Sequence, residues 1–130
     1  MIAKFLALVF FAAQAPTQPA LQPAPQDAPA ADALSPLPAD QQGAIRCSAA
    51  FALVAERQRQ GDEAALVYPP VGERGREFFV RTGARLMDET GMTREAVEAR
   101  LRAQAGVILA EGSLDEIMPA CLMLLDASGL

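Results

Sequence analysis

Residues 40–60 read DQQGAIRCSAAFALVAERQRQ, and this stretch has the pattern of a helix that is buried on two adjoining sides. Small and apolar residues recur three and four positions apart, which is the spacing of one helix face. They form two neighbouring stripes: Ile45, Ser48, Ala52 and Ala55, and beside them Cys47, Phe51 and Val54. Asp40 is expected to cap this helix and Gly61 to end it. A helix with two apolar stripes is expected at the centre of the core.

The segment after Gly61 has the signals of a short helix, a loop and a second long helix. Asp62 to Val67 begins with acids, and residues 68–72 read as a loop because Pro69 and Pro70 bias their predecessors away from helix. The second long helix is predicted over residues 73–90. Its predicted buried face is Gly75, Phe78, Phe79, Thr82 and Leu86.

Two further helices are predicted after Gly91. Thr93 is expected to cap the first of them, which runs to about residue 110. Its predicted buried face is Val97, Leu101, Ala105 and Ile108. Ser113 and Glu116 have the spacing of a capping box and would open the last helix, which ends near Gly129. Pro119 is expected to kink that helix or to make it restart.

The pattern as a whole indicates an all-α fold. No segment alternates between apolar and polar residues for long enough to indicate a strand. We therefore expect one domain over residues 40–130, a small bundle of four to five helices with one modest core. Gly75 and Gly83 lie inside a predicted helix, where each costs about 1 kcal/mol relative to alanine. Close helix packing is the favoured reason for them, and a ligand groove is the alternative.

Cys47 and Cys121 lie on the apolar sides of the first and last predicted helices, and we expect them to form a disulfide in an oxidising compartment. Closing so long a loop would stabilise the fold by about 4 kcal/mol, which is an upper value. A reactive thiol is disfavoured, because no C-x-x-C spacing is present and burial raises the pKa of a thiol.

Residues 1–15 have the features of a cleaved signal peptide, so export to the periplasm or secretion is expected. Lys4 supplies the positive charge, FLALVFFAA at 5–13 is the apolar region, and cleavage is expected between Ala15 and Pro16. Proline at that place fits a protease poorly, so cleavage is expected to be slow or displaced. Nine apolar residues fall short of the about 20 that span a bilayer, so we expect no stable membrane anchor.

Residues 16–39 hold seven of the ten prolines and have no apolar periodicity. Such a segment buries too little surface to offset the entropy cost of ordering it. A disordered linker rich in proline and alanine, with a polyproline II bias, is therefore predicted there.

The charge and the residue types exclude several functions. The chain has a formal net charge of −5, which gives no electrostatic reason to bind nucleic acid. It contains no histidine, so the Ser-His-Asp and Cys-His catalytic arrangements lack their base. The usual zinc sites lack their nitrogen ligands for the same reason. No phosphate-binding glycine motif is present. We therefore expect no catalytic residue, metal or cofactor.

Four arginines crowd the second long helix: Arg74, Arg76, Arg81 and Arg85. Glu73 and Glu77 are interleaved with them, so a solvated, salt-bridged face is the first interpretation. An acidic partner is the alternative, and these arginines together with Tyr68 are the candidate partner-contact residues.

Three functions fit these observations. The first is an exported, non-catalytic binding or interaction protein with an unknown protein partner. The second is a periplasmic holdase chaperone active in acid or stress, because sixteen carboxylates lose charge in acid while the arginines keep theirs. The third is a carrier of a small apolar ligand between helices, to which Gly75, Gly83 and the methionines would contribute.

Overall fold

The computed structural model describes residues 36–130, and that part of the chain consists of five helices and no strand. They are α1 (Ala39–Arg59), α2 (Glu63–Leu66), α3 (Gly72–Thr90), α4 (Arg94–Glu111) and α5 (Leu114–Ala127). The predicted all-α class is confirmed. The predicted signal peptide 1–15, its cleavage site at Ala15 and Pro16, and most of the predicted linker lie outside the described residues.

Helix α1 is the centre of the structure, as its two stripes predicted, because it packs against each of the other four helices. Its side chains at Phe51 and Val54 are almost completely buried. They join the main core cluster, in which Ile108, Met118 and Leu125 of α4 and α5 are also buried. The ring of Phe51 meets that of Phe78 edge to face, with ring centroids 5.5 Å apart.

A second, smaller core cluster lies where α1 begins and where α3 turns into α4. Its buried members are Leu37, Ile45, Leu86, Met92, Ala96 and Val97. Leu37 is only 8% exposed, although it falls within the predicted linker 16–39. Its backbone oxygen also accepts a hydrogen bond from the side-chain amide of Gln42. The packed part of the chain therefore begins ahead of Asp40.

Two of the predicted helix caps differ from the structure. Asp40 caps nothing, since α1 already begins at Ala39 after Pro38, and the Asp40 carboxylate lies 3.3 Å from the Arg85 guanidinium instead. Ser113 precedes α5 as predicted, but its hydroxyl donates to the Glu111 carboxylate. Ser113 has ψ of 6°, not the extended backbone that directs a capping hydroxyl at the next amides. The predicted capping box is therefore wrong.

The other local predictions agree better with the structure. The Thr93 hydroxyl accepts a hydrogen bond from the amide of Ala96 at 3.2 Å, so the predicted cap of α4 is confirmed. Asp62 accepts in the same way from the amide of Ala64 and begins the short α2. Helix α5 continues through Pro119 without interruption, so the restart that we considered there does not occur.

The disulfide joins Cys47 of α1 to Cys121 of α5, with the Cα atoms 5.1 Å apart. Both side chains are buried in the main core cluster. The predicted link between the first and last long helices is confirmed. It holds α5 directly against α1.

The two interior glycines of α3 have different surroundings. A Cβ atom at Gly75 would lie 2.7 Å from Cβ of Phe51, which is closer than real Cβ atoms approach each other. A Cβ atom at Gly83 would lie 3.7 Å from Cγ1 of Val97, an ordinary contact. Close helix packing, the favoured explanation, therefore holds at Gly75, whereas Gly83 has room for a methyl group.

We predict that Gly75→Ala lowers the free energy of unfolding by about 1–2 kcal/mol, because the overpacking cost exceeds the gain in helix propensity. Gly83→Ala is the matched control in the same helix, and it should raise stability by up to about 1 kcal/mol. Urea unfolding of both variants measures the difference. Equal effects of the two substitutions would contradict the close approach of α3 to Phe51.

Candidate functional site

An open groove of about 320 Å³ lies along α1, between α3 and α4. Its floor is formed by α1, with Ser48, Ala49, Phe51, Ala52 and Ala55. The first turns of α3 and the residue before them supply one wall, with Val71, Gly72, Gly75, Arg76 and Phe79. Helix α4 supplies the other wall, with Leu101, Arg102 and Ala105. The groove is therefore apolar along its floor and walls except for two arginines.

The groove exists because the stripe of α1 that begins at Ile45 continues with small residues, namely Ser48, Ala52 and Ala55. The predicted core stripe is buried at Ile45 and Ser48, but Ala52 is exposed and Ala55 is only partly buried. Their methyl groups are too short to fill the space between α3 and α4, where Leu101 is also only partly buried. The predicted burial of this stripe is therefore confirmed at Ile45 and Ser48, whereas it is wrong at Ala52 and only partial at Ala55.

Ser48 is the only hydroxyl residue among the described residues that line the groove, and its hydroxyl forms a hydrogen bond within its own helix. It donates to the backbone oxygen of Ala44 at 2.8 Å. The side chain therefore offers the groove a satisfied hydroxyl and does not make the floor a polar site.

The two arginines of the groove are weakly engaged by the rest of the protein. Arg102 lies 3.8 Å from the carboxylate of Glu98, and its side chain is 72% exposed. Arg76 is exposed and has no ion pair or hydrogen bond within residues 36–130. Within residues 36–130, no aspartate or glutamate lines the groove. The charged side chains at the groove are therefore both positive.

A smaller groove of about 240 Å³ continues on the other side of Phe79, between α3 and α4. Gly83 and Val97 line it together with Met87 and Arg94. Two other methionines lie outside both grooves, since Met118 is fully buried in the main core and Met123 is exposed on α5.

The structure does not bring the candidate partner-contact residues into one patch. The guanidinium of Arg74 donates to the Asp126 carboxylate at 2.7 Å and to the backbone oxygen of Leu130 at 2.8 Å, so Arg74 holds α3 to the end of α5. The Tyr68 hydroxyl donates to the Asp115 carboxylate at 2.8 Å. Partial burial, followed by this hydrogen bond, raises the pKa of Tyr68.

Arg81 and Arg85 line a separate cavity of about 340 Å³ on the other side of α3, with Phe78 and Leu124. Arg81 pairs with Glu77 one turn away at 3.4 Å. Of the five candidates, only Arg76 lines the apolar groove.

A charged network joins the start of α1 to the end of α3. The Glu89 carboxylate accepts hydrogen bonds from Arg85 at 2.7 Å and from the side-chain amide of Gln41 at 2.6 Å. The hydrogen bonds from Arg85 and then Gln41 lower the pKa of Glu89 below its ordinary value. Arg85 and Glu89 therefore form an ion pair one turn apart on α3, and Gln41 and Asp40 extend this pair to α1.

Within residues 36–130, no three cysteine, aspartate or glutamate side chains come together in a way that could hold a metal ion. None of the helices in that range is long and apolar enough to cross a membrane. No family model, curated protein or solved structure matches the chain.

We predict that Glu89→Gln lowers the melting temperature at neutral pH but has little effect in acid. A lowered pKa means that the stabilisation is complete above the ordinary glutamate pKa and is lost as the pH falls through the lowered value. The control, Glu77→Gln, removes the exposed ion pair between Glu77 and Arg81, which both lie on α3. Melting curves from neutral pH to about pH 3 measure both variants. A gap between Glu89→Gln and wild type that stays constant with pH would contradict this prediction.

Proposed function

We propose that this protein is a non-catalytic binding protein and that the apolar groove between α1, α3 and α4 carries the hydrocarbon part of a small molecule. The observation that carries the proposal is the open groove of about 320 Å³, lined almost entirely by apolar groups on a floor of alanines. Sites for small ligands are concave, mostly apolar and about 300–1,000 Å³ in volume. This groove lies at the small end of that range.

The expected affinity follows from the apolar surface that a ligand would bury. Each buried methylene contributes about 0.8 kcal/mol, so a chain of about eight to ten methylenes supplies about 6–8 kcal/mol. The loss of translational and rotational freedom reduces that sum. A dissociation constant in the micromolar range or weaker is therefore expected.

We predict that the neutral fluorescent probe N-phenyl-1-naphthylamine binds the wild-type protein and that Ala52→Phe weakens its binding about tenfold, which is 1.4 kcal/mol. The introduced ring would occupy the groove above an exposed position of α1. Ala103→Phe is the matched control, because Ala103 is exposed on α4 and does not line the groove. Fluorescence titration measures all three proteins. Equal binding to the three would contradict the proposed site.

We also propose that the protein acts outside the cytoplasm, as the pattern of residues 1–15 led us to expect. The Cys47–Cys121 disulfide supports this, because disulfides persist mainly in oxidising compartments. The intact mass of the protein from its own host should correspond to a chain that begins near Pro16. Alkylation should add two groups only after reduction. A full-length mass with thiols that are alkylated before reduction would contradict export.

A further inference from the structure

We propose that the ligand of the groove is a single-chain amphiphile with a carboxylate head group and that Arg76 and Arg102 bind this head group. The inference rests on the proposed function and adds the chemical class of the ligand. It starts from the charge of the groove: among the described residues that line it, only these two arginines are charged. A planar guanidinium matches a carboxylate with two parallel hydrogen bonds.

The groove arginines differ from the structural arginine of the same helix in how firmly they are held. Arg74 donates to two oxygens of the C-terminal segment at 2.7 and 2.8 Å. Arg76, two residues later, has no such partner within the described part of the chain. A guanidinium that the protein does not use is free to bind a ligand without first breaking an internal contact.

The nearby carboxylates do not neutralise the groove. Glu77 follows Arg76 in sequence but lies 3.4 Å from Arg81, and it is not among the residues that line the groove. Glu98 approaches Arg102 only to 3.8 Å, and the side chains are 46% and 72% exposed, respectively. Exposed pairs of this kind contribute about 0–1 kcal/mol, so a ligand carboxylate can compete with Glu98 for Arg102.

The positions of the apolar and cationic side chains suit a molecule with two different ends. Arg76 and Phe79 are three residues apart and so lie on the same side of α3. On the facing wall, Arg102 follows Leu101, which lines the groove together with Ala105. A hydrocarbon chain on the alanine floor would contact Phe79 and Leu101, and its ionised end would lie within reach of the guanidinium groups.

The test compares three amphiphiles that share one hydrocarbon chain: decanoate, decanol and decyltrimethylammonium. Each amphiphile is titrated against the complex of the protein with the neutral probe, and displacement of the probe is measured. The titrations stay below the micelle-forming concentration and at low ionic strength, where exposed charges are least screened. We expect wild type to bind decanoate at least about threefold more tightly than decanol. The cationic amphiphile should bind more weakly than decanol.

Two charge variants of α3 test whether the preference for decanoate over decanol arises at the groove. Arg76→Gln should reduce the preference for decanoate over decanol and leave the affinity for decanol unchanged. Arg81→Gln removes the same charge from the same helix but faces the separate cavity, so it should keep the preference. Arg76→Gln combined with Arg102→Gln should remove any preference that remains.

The outcomes separate this inference from the function on which it rests. Equal binding of decanoate and decanol by wild type, or a preference that persists in the double variant, would overturn the head-group assignment and leave the groove as an apolar site. If none of the three amphiphiles displaces the probe, or if Ala52→Phe binds them as wild type does, the proposed function itself is wrong.

Discussion

The contact between Phe51 and the backbone of α3 at Gly75 is the constraint on which the rest of the structure depends. Because glycine has no Cβ atom, α3 lies directly on the side chain of Phe51, where any other residue would collide. That position brings Phe78 edge to face with Phe51 and buries both rings. Beside the point where α3 crosses α1 lie the alanines of α1 at 49, 52 and 55. These alanines form the floor of the groove.

The disulfide adds a second constraint on the same central helix. It attaches α5 to α1 at Cys47, one helical turn before Phe51, so both links occur in the middle of α1. Arg74 makes a third connection, from α3 to the end of α5. These three contacts hold α1, α3 and α5 together. Helix α4 covers the adjoining face of α1 only in part, and the groove lies there.

Much of the fold could be predicted from the sequence because its determinants are local. The stripes of α1, the cap at Thr93 and the short helix after Asp62 are encoded within a few residues of where they act. The burial of Leu37 could not be predicted in this way, because its partners Leu86 and Val97 are distant in sequence. The failed cap at Ser113 depends on the backbone angles of one residue, which the spacing of Ser113 and Glu116 does not reveal.

The site was predictable only in part. The small residues at 48, 52 and 55 are visible in the sequence, but their spacing alone cannot distinguish a tightly packed face from an open groove. That outcome depends on how far α4 lies from α3 across α1. The four arginines of α3 were likewise visible as a group, yet only the fold separates Arg76, on the groove, from Arg74, Arg81 and Arg85, which have internal partners.

Whether the alanine face of α1 is an open ligand site is decided by the location of a bound amphiphile. Backbone amide chemical shifts of the labelled protein, recorded during a titration with decanoate, would locate it residue by residue. We expect the largest changes along the groove, at Ala49, Ala52, Gly75, Leu101 and Ala105. Changes confined to the opposite cavity, around Phe78 and Leu124, would contradict the account.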